Sequence, residues 1–225
     1  MSWEYDYNEK AKIYKENDYW RQVRRTINGS PVSQEQIKLI VKQISKLLNL
    51  NSQDNLLDLG CGNGALTNYF KKKVNISYGI DSSEYLINVA KNNFQTSNNF
   101  YENIGIEQFI DNKNYDNFNK VIMYGVSSFL EDNLLEKIFQ FIANQSNSKI
   151  MIGNVRDINA VDYFYKNRPK IEELNSCKTS MGKWRDIDWF KKAAFKYNLT
   201  IKTYKMPKNF YAREYYFDLI LENGL

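Results

Sequence analysis

The chain has 225 residues, a net charge of +5, two cysteines and no histidine. That length fits one large domain with a core of its own, and the lack of histidine excludes a histidine base, nucleophile or metal ligand. Cys61 and Cys177 make no disulfide framework and have no zinc spacing. No apolar run approaches the roughly 20 residues of a membrane span. The polar, aromatic start MSWEYDYNEKAKIYKEND lacks the basic-then-apolar order of a signal peptide, so a soluble, cytoplasmic protein without a membrane partner is expected. The longest basic run, Lys71 to Lys73, reads as a solvated helix end rather than a nucleic-acid patch.

Residues 1–32 read as a helical extension, aromatic-rich and closed by the turn Asn28-Gly29-Ser30-Pro31. Arg21, Arg24 and Arg25 have i, i+3, i+4 spacing and are expected on one face of its helix. The main domain, 33–225, opens with a second helix. Ser33 and Gln36 have capping-box spacing, and Ile37, Ile40, Val41, Ile44, Leu47 and Leu48 recur at the helical period.

From Asn55 onward short apolar runs alternate with helical stretches. Strands are expected at Asn55–Leu59, Ile76–Ile80, Asn99–Asn103, Lys120–Tyr124, Lys149–Gly153, Thr200–Lys205 and Tyr215–Glu222, and helices at Ala65–Lys72, Glu84–Phe94 and Leu134–Ala143. This order predicts a seven-stranded, mostly parallel α/β sheet with helices on both faces. The stretch MPKNFYARE is too short for a helical crossover, so the last strand is expected to pair antiparallel. The segment 157–186 is longer than an ordinary connection. It carries Tyr163, Phe164, Tyr165 and Trp184 and reads as an ordered insertion contributing to an acceptor site.

The chemistry concentrates in NLLDLGCGNGALTNYF. Gly60, Gly62 and Gly64 follow a strand and precede an expected helix near Asn63. Glycines there let the backbone approach a ligand, and a helix N-terminus would offer unpaired N–H groups. Asp81 follows Gly60 by 21 residues, at the end of the second strand. An acid so placed can bond ribose hydroxyls. A tight turn with a capping acid explains the glycines but not this spacing, so a nucleoside-containing cofactor is expected. Gly60, Gly62 and Ala65 can be fitted to a dinucleotide pattern. Asp58, however, would repel a pyrophosphate and welcome an ammonium group.

LLDLGCGNG resembles the first motif of class I, Rossmann-like S-adenosylmethionine-dependent methyltransferases, D-x-G-x-G-x-G. YGIDSSEYLINVAK resembles their acidic-loop motif, YDNFNKVIMYGVSSFLED their fourth-strand motif, and EYYFDLILE their antiparallel last strand. The resemblance implies that Asp58 anchors the amino-acid end of S-adenosylmethionine, that Gly60, Cys61 and Gly62 line a backbone cradle, and that Asp81 holds the ribose. It also implies that Ser82, Asn103 and Ile104 lie by the adenine and that Tyr124 faces the methionine portion. Asn103 stands where the family often has an acid.

Such an enzyme makes S-adenosylhomocysteine and mainly orients the reactants in a dry site. Without histidine the candidate bases are Tyr, Lys, Asp and Glu, and no catalytic residue is singled out. Arg24, Arg25, Asn154, Arg156, Arg168 and Arg213 are candidate acceptor-binding residues, because arginine matches carboxylate and phosphate. The expectation is a small, anionic acceptor, phosphorylated or nucleotide-linked, methylated at O or N. An RNA methyltransferase and a non-catalytic cofactor-binding domain are the alternatives; the mild charge and absent RNA module oppose the first, and the intact glycine motif with Asp81 opposes the second. The segment Trp3–Asn28, with Trp3, Tyr5, Tyr7, Tyr14, Tyr19 and Trp20, is expected to be a lid that excludes water. A permanently packed helix is the other reading.

Overall fold

The structure, a computed structural model, describes residues 7–112, 117–145 and 148–223. Trp3 and Tyr5 of the expected lid lie outside them. The described residues fall into two compact units, 7–122 and 123–223.

The N-terminal unit starts with two short helices, α1 (Tyr7–Lys12) and α2 (Tyr19–Gln22). They are followed by a hairpin of β1 (Thr26–Ile27) and β2 (Ser30–Pro31). Asn28 and Gly29 have φ of 50° and 78°, the positive values that a tight two-residue hairpin loop needs. The expected arginine face does not form. α2 stops at Gln22, and Arg24 takes a left-handed φ of 54° that turns the chain before Arg25.

α3 (Gln34–Leu48) is as expected: the Ser33 side chain accepts from the Gln36 N–H, and Ile37, Ile40, Val41, Ile44 and Leu48 are buried. Its end is set by Asn49 in the left-handed region. β3 (Asn55–Leu59), β4 (Ile76–Asp81) and β5 (Asn99–Asn103) pair parallel, and β3 also pairs with the start of β6 (Lys120–Tyr124). α4 (Glu84–Phe94) is capped by Ser83, and α5 (Ile106–Asp111) follows β5.

The helix expected at Ala65–Lys72 is absent. Turns and one 3-10 turn, Thr67–Tyr69, stand in its place. Side chains outcompete the helical bonds: Asn63 accepts from the Ala65 N–H at 3.2 Å, and the Thr67 hydroxyl turns to Asp58. A run this short gains too little from propensity to resist them.

The C-terminal unit holds α6 (Asp132–Ala143), β7 (Lys149–Arg156), α7 (Ile171–Leu174), α8 (Ile187–Lys196), β8 (Leu199–Tyr204) and β9 (Tyr216–Asn223). β7 outruns its expected end at Gly153. A register shift between Ile152 and Val155 absorbs Asn154, whose φ is 61°. β9 pairs antiparallel with both β7 and β8. The full sheet order is β5-β4-β3-β6-β7-β9-β8, a Rossmann-like, mostly parallel sheet in which β9 is the reversed strand. No helix among the described residues is long and apolar enough to cross a membrane.

Candidate active site

Asp58 is the next-to-last residue of β3 and Asp81 the last of β4, so parallel pairing presents both carboxylates near the carboxyl edge of neighbouring strands. Gly60, Gly62 and Gly64 have φ of 77°, 58° and 73°, which only glycine adopts without strain. The loop between them is closed on itself. The Gly60 and Cys61 N–H groups both donate to the Ile80 carbonyl at 2.9 Å, Gly62 N–H donates to Asp81 Oδ2 at 2.9 Å, and Gly64 N–H donates to the Cys61 carbonyl at 3.2 Å. The expected helix N-terminus with unpaired donors is therefore not there. A pyrophosphate would find these four donors already taken, and two carboxylates beside them.

Asp81 Oδ1 accepts from the Ser83 N–H at 2.9 Å. Each Asp81 oxygen thus takes one backbone bond and keeps capacity for another. Burial pushes its carboxyl above the usual range, while the Ser83 and Gly62 N–H groups pull it down. Asp58 is 3% exposed. Burial pushes its pKa up to about 7 against the Thr67 hydrogen bond and the Arg25 charge, with the Asp81 charge adding to the rise. Thr67 Oγ1 donates to Asp58 Oδ2 at 2.5 Å. Cys61 contributes its backbone to the loop, and its Sγ donates to the Gly62 carbonyl at 3.5 Å. Its side chain packs on Gly79, where an added Cβ would lie 2.8 Å from Sγ, and burial followed by the Asp58 and Asp81 charges raises its thiol well above the usual range.

Around the second strand's end, Ser82 is exposed, and its neighbour Ser83 is the residue that caps α4. Asn103 is exposed and donates its amide to the Asp81 carbonyl at 2.9 Å, leaving its side-chain oxygen with capacity to accept. Ile104 is buried and its N–H donates to the same carbonyl at 3.1 Å.

The N-terminal segment packs onto this loop through Tyr19 and through Arg25 over Trp20, which the sequence marked, and through Asn8, Gln22 and Val23, which it did not. Asn63 donates to the Tyr19 carbonyl and to Gln22 Oε1, both at 2.8 Å, and Gln22 is 1% exposed. Val23 Cγ1 lies 2.8 Å from where a Gly62 Cβ would be. Asn8 accepts from the Ser83 hydroxyl and the Tyr85 N–H at 3.0 Å. Arg25 stacks over Trp20 at 5.6 Å, and its charge acts on Asp58. The contacts of Asn8, Gln22 and Asn63 that join the segment to the loop span 41 to 77 residues of chain, so no local spacing marks them.

In the C-terminal unit Tyr124 is buried and packs against Gly153. Asn154 N–H donates to Asp218 Oδ1 at 2.9 Å. Arg156 ends β7 and is 8% exposed. Its guanidinium lies over Phe129 at 5.3 Å and Tyr216 at 5.8 Å, and its Nε and Nη1 are buried with no hydrogen-bond partner among the described residues. Arg168 is different: it is half-exposed and pairs with Asp162 at 3.3 Å. Arg213 pairs with Glu214 at 3.2 Å.

Sequence reasoning missed Arg185, which is 4% exposed. It donates to Asp132 Oδ1 at 2.8 and 3.0 Å and to the Ser127 and Leu130 carbonyls at 2.8 and 2.6 Å, tying the insertion to the β6–α6 loop.

A family model described as a methyltransferase domain matches residues 50–197. The chain belongs to this methyltransferase family. The methyltransferase is 30% identical over 153 residues to a protein of Methanococcus maripaludis (strain C7) named "Probable cobalt-precorrin-6B C(15)-methyltransferase (decarboxylating)", covering 66% of this chain and 75% of that one. A relative of the same name from strain S2 is 29% identical over 142 residues, covering 62% of this chain and 72% of the relative. Among solved structures, magnesium protoporphyrin IX methyltransferase from Synechocystis PCC 6803 with bound SAH superposes with TM-score 0.62 at 14% identity, covering 97% of this chain and all of the other. N-methyltransferase NodS from Bradyrhizobium japonicum WM9 gives 0.63 at 16%, covering 86% and 99%. At such identities these two speak for the fold. The methyltransferase uses S-adenosylmethionine as cofactor. Its loop chemistry fits that ligand: Asp58 can face an ammonium group and Asp81 a diol, with no vacant donors among Gly60, Cys61, Gly62 and Gly64 calling for a phosphate.

Proposed function

We propose that this methyltransferase acts on a small, anionic organic acceptor at oxygen or nitrogen. The observation that carries the reading is Arg156, a buried guanidinium at the carboxyl end of β7 with two unpaired nitrogens. In open α/β sheets ligands lie outside the carboxyl ends of the parallel strands. Of the candidate arginines, Arg168 and Arg213 already have carboxylate partners, Arg213 through Nη1 while its Nε has none among the described residues, and Arg25 lies over Trp20 with its charge acting on Asp58. The relatives are named for a cobalt-precorrin substrate, which supports a small molecule as acceptor.

When bound, the cofactor supplies an electrophilic methyl group on a sulfonium. The residues of the chain bind and orient. Asp81 holds hydroxyls through the free capacity of its two oxygens, and Asp58, ionised, faces the ammonium end. Asn103 and Ile104 border the adenine. The segment 7–32 covers the glycine loop as a lid: its helices, Tyr7–Lys12 and Tyr19–Gln22, are too short to persist without the contacts they make there. Its purpose is to keep water from the sulfonium. We place the protein in the cytoplasm, consistent with two free cysteines.

The test is turnover. Purified protein is incubated with S-adenosylmethionine and a panel of carboxylated, phosphorylated and neutral acceptors, and S-adenosylhomocysteine is measured by chromatography. Anionic acceptors should be turned over and their neutral amides or esters should not. Equal turnover of neutral analogues, or none with any acceptor, would overturn the reading.

A further inference from the structure

The anion implied by Arg156 has a recognisable carrier. Phe129 and Tyr216 present ring faces to the guanidinium. Tyr216 packs tilted on Tyr215 with ring centroids 4.7 Å apart, Tyr215 packs edge-on with Phe164 at 5.2 Å, and Phe164 packs tilted on Trp184 at 5.9 Å. Phe164 is 39% exposed, so this aromatic wall reaches the surface. Trp184 Nε1 and Ser127 Oγ are buried without partners among the described residues, as are the two Arg156 nitrogens. An arginine cannot shed its proton, and a buried cation without an anion is strongly disfavoured. The surroundings that would normally neutralise it are instead rings, which bind the flat faces of a planar body and stack on guanidinium.

We propose that Arg156, with Phe129 and Tyr216, forms a binding site for a carboxylate carried on a planar, unsaturated ring. The inference rests on the anionic-acceptor reading above and names its chemical class. The carboxylate accepts from the guanidinium, and the ring to which it is attached lies along the aromatic wall. Phosphate satisfies the charge but gains nothing from the rings.

Direct binding tests this without turnover. The full chain is titrated by calorimetry with benzoate, 2-naphthoate, cyclohexanecarboxylate, 2-naphthamide and inorganic phosphate. The expected result is that 2-naphthoate binds at least about tenfold tighter than cyclohexanecarboxylate or phosphate, and that the amide does not bind. R156M should abolish naphthoate binding, and R156K should weaken it several-fold by keeping charge without the planar fork. Melting of R156M should not fall below that of the wild type, since removing an unpaired buried charge relieves the free protein. Equal binding of phosphate, undiminished binding by R156M, binding of the amide, or no carboxylate binding at all would each overturn the proposal. So would a lower melting temperature of R156M, which would mark the arginine as structural. Carboxylate binding without methyl transfer to any acceptor would leave this site standing and remove the acceptor reading; turnover without carboxylate binding would do the reverse.

Discussion

Replacing Asp58 by asparagine removes a buried carboxylate from the next-to-last position of β3. In the folded chain its pKa is pushed up to about 7 from 3.8, mainly by burial. A folded pKa above the unfolded one means that the proton stabilises the fold. That stability is fully present below about pH 3.8 and is lost as pH rises through about 7. The span corresponds to about 4 kcal/mol at 1.36 kcal/mol per pH unit. At pH 8 the cofactor-free wild type therefore holds an ionised Asp58 at a cost of up to ~4 kcal/mol, a cost that the neutral amide of the Asp58→Asn variant does not carry. Thermal melts of wild type and Asp58→Asn at pH 5 and pH 8, without cofactor, measure this. The mutant should gain on the wild type between the two pH values, and S-adenosylmethionine affinity should fall because the ammonium loses its counter-charge. Parallel pH dependence of the two melting curves would refute the assignment of a high pKa to Asp58. Unchanged affinity would refute its role at the ammonium.

Three further outcomes follow from the same geometry. Asp81→Ala should weaken S-adenosylmethionine binding by about 1.5–3 kcal/mol per charge-assisted ribose bond, read by calorimetry; it should also lower the melting temperature, because Asp81 accepts the Gly62 and Ser83 N–H groups. Gly64→Ala forces a side chain into a φ of 73° and sets its Cβ 2.6 Å from the buried Tyr101 ring. It should destabilise by at least about 2 kcal/mol in denaturant unfolding, and a neutral result would mean that the loop relaxes freely. Backbone amides of residues 7–28 should exchange quickly in the free protein and slow sharply with S-adenosylhomocysteine; slow exchange without ligand would identify the segment as permanent packing instead of a lid.

The sheet was legible because its signals are local and repeated. Asn55–Leu59, Asn99–Asn103 and Lys120–Tyr124 are strands with the bounds their apolar runs predict, and Glu84–Phe94 is the helix its periodicity predicts. The reversed last strand followed from connection length alone. Ser33 announced its cap to Gln36 because both partners sit within one turn.

The failures share a cause of the opposite kind. Ala65–Lys72 has helical composition, but Asn63 and Thr67 divert its bonds, and Thr67 can do so only once Asp58 is brought beside it by β3. The arginines at 21, 24 and 25 have helical spacing, yet the chain turns at Arg24. The insertion is pinned by Arg185 to Asp132 and to the Ser127 and Leu130 carbonyls, partners too far away in the chain for any spacing rule to pair.

By itself, then, the sequence determined the strand order in the chain, the glycine turn and the two acids that flank it, since each depends on residues within a few positions or on one repeated period. Tertiary structure alone decided that the loop donors are already used, that Asp58 is buried beside Thr67, and that Arg156 rather than Arg168 is left unpaired. Hydrogen-bond satisfaction and desolvation depend on everything that surrounds a group, and only folding assembles those surroundings.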